Sequence, residues 1–168
     1  MISIPAGTEG TKQTLKIMRD LVLLGKKAPR VRQLANDLTK DYPQKDRLEE
    51  IKTLHQFVRD NIRYLRDIRG IETLHTAEKI LENKQGDCDD KSILLASLLE
   101  SVGHKTRLIA LGFSKPKKSL LGTLTSSGYS HVLPQVFYRG QWISLESTEP
   151  VAMGWHPPNS KSALIIYN

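Results

Sequence analysis

The sequence predicts an α+β fold, in which helices occupy the first part of the chain and strands the second. Apolar residues recur at helical spacing as far as Gly103, and short runs rich in β-branched and aromatic residues follow it. Two of these runs are joined by the dipeptide Arg139-Gly140, which we expect to form a tight hairpin turn. Helices followed by hairpin-connected strands favour an antiparallel sheet packed against one of the helices.

Four helices are predicted before the central one, and each has an apolar stripe. Gly25 ends the first, Pro29 suits the first position of the second, and Pro43 follows the second. Thr76 is the expected cap of the fourth, which is short. The predicted ranges are 11–24, 29–42, 46–62 and 76–83.

The central helix begins at Cys88 and is the most apolar of the five. Gly86 and Asp87 precede it, and Gly103 ends it. Its apolar face is wide, so we expect this helix to lie in the middle of the core.

Strands are predicted only after the central helix, at 106–113, 129–138, 141–145 and 163–167. The connection 114–130 is rich in Ser, Gly, Lys and Thr and is long for a link between strands. It leads directly to His131, so we expect a lid or a loop that contacts substrate.

Composition excludes several classes of protein. The single cysteine rules out an intramolecular disulfide and a zinc site built on several thiolates, so no metal or cofactor is expected. The net charge of +7 is spread over the chain, and its clusters at 26–32 and 115–118 contain no aromatic residues that could stack on bases. No specific nucleic-acid binding is therefore expected. No apolar run could span a membrane and no signal peptide is recognised, so we expect a cytoplasmic protein.

Cys88 has the surroundings of a nucleophile. A thiol attacks as thiolate, and a helix start offers both backbone N–H groups and the positive end of the helix dipole. The same N–H groups could receive an oxyanion. Asp87, Asp89 and Asp90 would raise the pKa of the thiol if they pointed at it, but on a helix we expect them to point mostly elsewhere.

One of five histidines must supply the partner base. His55 and His75 lie on or beside helices, where surface or core-edge positions are expected, and His104 could cap a helix end as a cation. His156 lies in a Pro-rich tail. His131 opens a predicted strand after the long loop, which is the position that a Cys–His pair needs.

A carboxylate on the neighbouring strand could orient the imidazole of His131. Glu146 ends the partner strand of the hairpin and is the first candidate. Glu149 is the local competitor, because the chain is expected to turn between the two.

These residues, in this order, resemble the transglutaminase-like superfamily. The resemblance covers roughly residues 48–150. The matching stretches are Val58-Arg59-Asp60-Asn61-Ile62-Arg63-Tyr64, Gly86-Asp87-Cys88-Asp89-Asp90, 94–99, Gly103, Ser130-His131-Val132, and Gly140 to Glu146.

The resemblance implies a papain-like core, with Cys88 as nucleophile, His131 as general base and acid, and Glu146 as the orienting residue. The family has Asp at the position of Glu146 and a small and an aromatic residue where this chain has Val132 and Leu133. It also implies one transglutaminase-like domain over 1–168, with a helical extension at 1–45, a catalytic core at 46–150 and a strand or tail at 151–168. Residues 7–32 also resemble small phage and prophage members, whose location would be the bacterial cytoplasm.

The expected activity is acyl transfer from a peptide or carboxamide through a thioester on Cys88. Hydrolysis of a protein or peptide substrate is favoured, because excluding water would require a larger shielded tunnel than this small chain offers. Transfer to an amine is one alternative. A non-catalytic binding or assembly protein is a second, and the departures at Glu146 and Val132 favour it. A nucleic-acid binder that uses the basic surface is a third.

Overall fold

The computed structural model describes residues 7–43, 46–66, 73–114, 117–118, 124–125 and 128–168. The helices in these residues are α1 (Thr8–Gly25), α2 (Pro29–Thr39), α3 (Arg47–Asn61), α4 (Ala77–Asn83) and α5 (Cys88–Ser101). The strands are β1 (Arg63–Tyr64), β2 (Gln85–Gly86), β3 (Thr106–Gly112), β4 (Lys117–Lys118), β5 (Leu124–Thr125), β6 (Tyr129–Tyr138), β7 (Gln141–Ser144) and β8 (Ser162–Tyr167).

The main sheet has four antiparallel strands in the order β7-β6-β3-β8. The β6–β7 hairpin turns at Arg139 and Gly140, whose φ angles are +46° and +83°. Positive φ at both central residues matches the right-handed twist of the strands, which is why a glycine is suited to the second position. The α+β fold and the antiparallel sheet expected from the sequence are confirmed.

Helix α5 lies at the centre of the core, as its apolar sequence predicts. All of its residues from Asp89 to Leu99 are buried. It packs against α1, α2, α3, α4 and the strand β6. A helix that is covered on all sides can carry apolar residues around its whole circumference, and this one does from Ile93 to Leu99, where Ser97 is the one polar residue.

Among the short strands that were not predicted, β1 and β2 place the start of α5. Arg63 pairs with Gln85 and Tyr64 with Gly86, so β1 and β2 run parallel directly before Cys88. Strands of two residues are too short to show a periodic sequence pattern, so only the tertiary structure could reveal them.

Most of the connection 114–130 lies outside the described residues. The backbone of β4 pairs with that of β5 within it. The expectation of a lid therefore stays a prediction. None of the helices in the described ranges has the length and apolarity that a membrane span requires.

Candidate active site

Asp87 caps the amino-terminal end of α5. Its Oδ1 accepts hydrogen bonds from the N–H groups of Asp89 and Asp90, at 3.0 and 3.1 Å, and its carbonyl accepts one from Lys91. Asp is among the best caps because its carboxylate satisfies first-turn N–H groups and favours the helix dipole. These N–H groups are therefore engaged, and the N–H of Cys88 is the first-turn donor that Asp87 does not take.

Gly86 lets the chain approach α5 closely. A Cβ atom at this position would lie 2.5 Å from the Cβ of Asp90, which is nearer than side chains tolerate. The carbonyl of Gly86 accepts a hydrogen bond from Leu65 N–H at 3.0 Å. This close packing therefore requires a residue without a side chain at position 86.

The sulfur of Cys88 lies beside the strand that carries His131. The backbone N–H of Val132 is near enough to the sulfur to lower the pKa of Cys88. One turn along α5, Ser92 Oγ donates to the carbonyl of Val132 at 3.1 Å. The thiol therefore lies close to the backbone of Val132, the residue that follows His131.

Two carboxylates act on the thiol as well. Burial raises the pKa of Cys88, the charges of Asp89 and Asp87 raise it further, and the Val132 N–H lowers it in part. Asp89 Oδ1 accepts a hydrogen bond from the sulfur at 3.4 Å. The expectation that the neighbouring acids point elsewhere is therefore wrong for Asp89, and the thiol is neutral in this arrangement.

His131 and Glu146 form a short hydrogen bond. The distance between His131 Nε2 and Glu146 Oε2 is 2.5 Å. Glu146 is only 1% exposed, although it lies beyond the last residue of β7. Glu149 is exposed, so the structure brings Glu146 and not its competitor to His131.

The carboxylate of Glu146 is held ionised. Its burial alone would raise its pKa, but hydrogen bonds from His131 and from Thr148 lower the pKa of Glu146 to about 2. Its second oxygen, Oε1, accepts from both the N–H and the hydroxyl of Thr148 at 2.6 Å. Because an ionised carboxylate only accepts hydrogen bonds, Nε2 of His131 carries a proton and Nδ1 is the nitrogen left to take one.

Two buried polar residues behind Glu146 were missed by sequence reasoning. His55, expected at the surface or the edge of the core, is 1% exposed, and its Nε2 donates to the carbonyl of Glu146 at 2.5 Å. Lys91 is 2% exposed, and its Nζ donates to the carbonyl of Ile62 at 2.6 Å. His55 shares a helical stripe with Ile51, which was the signal that it faces inward.

The remaining histidines have other partners. His75 contacts Asp90 through Nδ1 at 2.8 Å, and His156 contacts Ser144 at 3.1 Å. Burial and the nearby Arg47 lower the pKa of His104 to about 4. Nδ1 of His104 lies 3.1 Å from Arg47 Nη2, which only donates, so the ring does not cap α5 as a cation. Arg47 instead donates to the carbonyl of Gly103.

One group of side chains in the described residues has the spacing of metal ligands. The ligand atoms of Asp87, Cys88 and Asp89 lie within 4.8 Å of one another. The group mixes a soft thiolate with hard carboxylates, and Asp87 already accepts two N–H groups. We assign no metal to it.

A partly buried thiol at the start of a central helix, beside a strand that carries a His–Glu pair, is the arrangement of a cysteine-dependent enzyme in broad terms. Residues 32–147 match the family model described as the transglutaminase-like superfamily. The chain belongs to this superfamily.

Solved structures share the fold at low sequence identity. A candidate protease from Parabacteroides distasonis is 13% identical with a TM-score of 0.62, over 86% of this chain and 30% of its own. A candidate cysteine protease from Cytophaga hutchinsonii is 16% identical with a TM-score of 0.53, over 83% of this chain and 46% of its own. A structure of the Rad4/XPC nucleotide excision repair complex is 13% identical with a TM-score of 0.53, over 96% of this chain and 46% of its own.

This chain thus spans between about a third and a half of the length of those neighbours. No curated protein matches its sequence. Because a protease and a DNA-repair protein share this fold, the fold alone does not decide the activity.

Proposed function

We propose that this chain is a cysteine-dependent acyl-transfer enzyme that hydrolyses peptide or carboxamide bonds. Cys88 is the nucleophile, His131 the general base and acid, and Glu146 the residue that orients the imidazole. The observation that carries the proposal is the 2.5 Å hydrogen bond between His131 and Glu146, on a strand that Ser92 of the nucleophile helix contacts at the carbonyl of Val132.

The neutral thiol decides how the first step proceeds. Because the pKa of Cys88 is raised, the sulfur loses its proton to Nδ1 of His131 as it attacks the substrate carbonyl. The new C–S bond pushes the carbonyl electrons onto oxygen, and the Cys88 N–H is placed to stabilise that oxyanion. The ionised Glu146 stabilises the imidazolium that forms.

The intermediate then collapses and the C–N bond breaks. His131 gives its proton to the leaving amine, and a thioester remains on Cys88. A water molecule, deprotonated by the same imidazole, attacks the thioester, and the acid product leaves as the thiol regains its proton. An amine in place of water would make the enzyme a transglutaminase. We favour water, because the small chain offers little to exclude it.

A second function is favoured by one specific observation. The carboxylate of Asp89 next to the sulfur opposes thiolate formation, which suits a non-catalytic protein that keeps the fold for binding or assembly. Cytoplasmic location and a phage origin stay predictions from the sequence.

The test is acylation of the protein by p-nitrophenyl acetate, followed by intact-mass spectrometry. We expect one acetyl group on Cys88, none in Cys88→Ala, and a slower reaction in His131→Ala. His156→Ala is the matched control, because this exposed histidine should leave the rate unchanged. Acylation that persists in Cys88→Ala, or a His131→Ala rate equal to that of the wild type, would overturn the assignment and favour the binding protein. Casein with a fluorescent alkylamine then separates hydrolysis from amine transfer.

A further inference from the structure

Three polar contacts attach α3 to both parts of the candidate site. His55 Nε2 donates to the carbonyl of Glu146 at 2.5 Å. Arg59 Nη1 donates to the carbonyl of Val151 at 2.9 Å. Lys91, on the nucleophile helix, donates to the carbonyl of Ile62 just beyond the end of α3. One helix thus contacts the segment with the orienting acid and the helix with the nucleophile.

We propose that α3 fixes the position of Glu146 relative to Cys88, and that His55 and Lys91 are the positioning residues of the site. The inference rests on the proposed function, since it assigns these two side chains a role in the same site. Neither residue touches the reacting atoms, and each acts through another residue.

His55 and Arg59 are one helical turn apart, so they present their donors from the same face of α3. Their acceptors, the carbonyls of residues 146 and 151, bracket the segment that includes Thr148. Thr148 in turn donates twice to the Glu146 carboxylate. The backbone of Glu146 is therefore held from α3 and its carboxylate from within the segment.

His55 can donate a hydrogen bond to a carbonyl throughout the neutral pH range. Burial lowers its pKa, so the ring is neutral. A carbonyl oxygen only accepts hydrogen bonds, which requires the proton of the neutral ring to be on Nε2. Loss of this donor would leave the buried Glu146 carbonyl without that hydrogen bond and free the backbone to shift. A shift of Glu146 moves the carboxylate that holds His131.

Lys91 connects α3 to the helix that carries the nucleophile. Its amine donates to the carbonyls of Ile62 and Arg59, at 2.6 and 3.3 Å, where α3 has the negative end of its dipole. Glu146 and Asp60 are the acids whose charges act on it. Burying an amine in an apolar helix is costly even when it is hydrogen-bonded, so this side chain is poorly explained by stability alone.

The experiment compares variants by a signal that does not depend on activity. A short imidazole–carboxylate hydrogen bond gives a far-downfield proton NMR signal, which Glu146→Gln should remove and so assign to the His131–Glu146 bond. The variants are His55→Phe, His55→Gln and Lys91→Met, with the exposed Lys79→Met as control. For each, the acylation rate, the KM for the ester and the melting temperature are also measured.

We expect His55→Phe and Lys91→Met to weaken the downfield signal and to slow acylation by on the order of 10- to 100-fold, with little change in KM. His55→Gln retains a hydrogen-bond donor and should keep most of the downfield signal and of the acylation rate. Lys79→Met should match the wild type in both measurements. Lys91→Met removes the buried amine together with its donor to the Ile62 carbonyl, so its melting temperature is compared with its signal and rate, and His55→Gln, which keeps a donor, depends on neither loss.

If folded Lys91→Met and His55→Phe keep the downfield NMR signal and the acylation rate of the wild type, the positioning role of α3 is wrong. If the variants change the downfield NMR signal but the wild type is never acylated, the positioning role of α3 is supported and the proposed function is refuted. The two inferences can therefore fail separately.

Discussion

Replacing Asp89 with Asn should make Cys88 more reactive. The carboxylate oxygen of Asp89 lies 3.4 Å from the sulfur, and its charge raises the pKa of the thiol. At that distance, two unit charges repel by about 1 kcal/mol in water and about 5 kcal/mol at the effective dielectric constant of 20 used near protein surfaces. Asn keeps the shape and removes the charge, so the pKa of Cys88 should fall by about 1 to 3.6 units.

The rate of alkylation by iodoacetamide at pH 7.5 measures this change. A lower pKa exposes more thiolate but weakens its intrinsic nucleophilicity, so each unit gained is worth about 3.5-fold in rate. We expect Asp89→Asn to react about 4- to 90-fold faster than the wild type. Asp37→Asn, on the exposed face of α2, is the matched control and should leave the rate unchanged.

The first-turn position of Asp89 also predicts a small cost to folding. Loss of an acid near a helix amino terminus removes about 0.3–1 kcal/mol of stability. A folded Asp89→Asn protein that alkylates no faster than the wild type would refute the electrostatic reasoning. The carboxylate would then have to be screened from the sulfur despite the short distance.

Three further predictions concern stability, measured by urea unfolding. Because the pKa of Glu146 is lowered to about 2, the wild type should lose about 3 kcal/mol of unfolding free energy as the pH falls from about 4.5 to 2, and Glu146→Gln should lack that loss. Because the pKa of Lys91 is lowered to about 8, the unfolded chain binds the extra proton between pH 8 and 10.5. The wild type should therefore gain up to about 3 kcal/mol over this window relative to Lys91→Met, and parallel curves would contradict the burial of that amine. Gly86→Ala should cost about 1–3 kcal/mol through its contact with Asp90, and an unchanged unfolding midpoint would show that the helix start can shift freely.

Local patterns predicted most of the fold. Helix α1 ends at Gly25, α2 begins at Pro29 and α4 begins after Thr76, close to the expected residues. Proline has a fixed φ that suits a first helical turn, and the side chain of Thr76 caps α4 by accepting the N–H of Lys79. The main differences are at the ends. Helix α1 begins at Thr8 and α2 ends at Thr39, since the first and last turns depend on contacts that periodicity does not describe.

By itself, the sequence determined the order of the elements, the central helix at Cys88 and the hairpin that brings His131 and Glu146 together, because spacing and turn residues act over short distances along the chain. Only the tertiary structure decided which carboxylates reach which partners. Asp89 contacts the thiol, and Glu146 rather than Glu149 reaches the imidazole. His55 is linked to Glu146 across 91 positions of sequence. Contacts at such separations depend on packing of whole elements, and no local pattern records them.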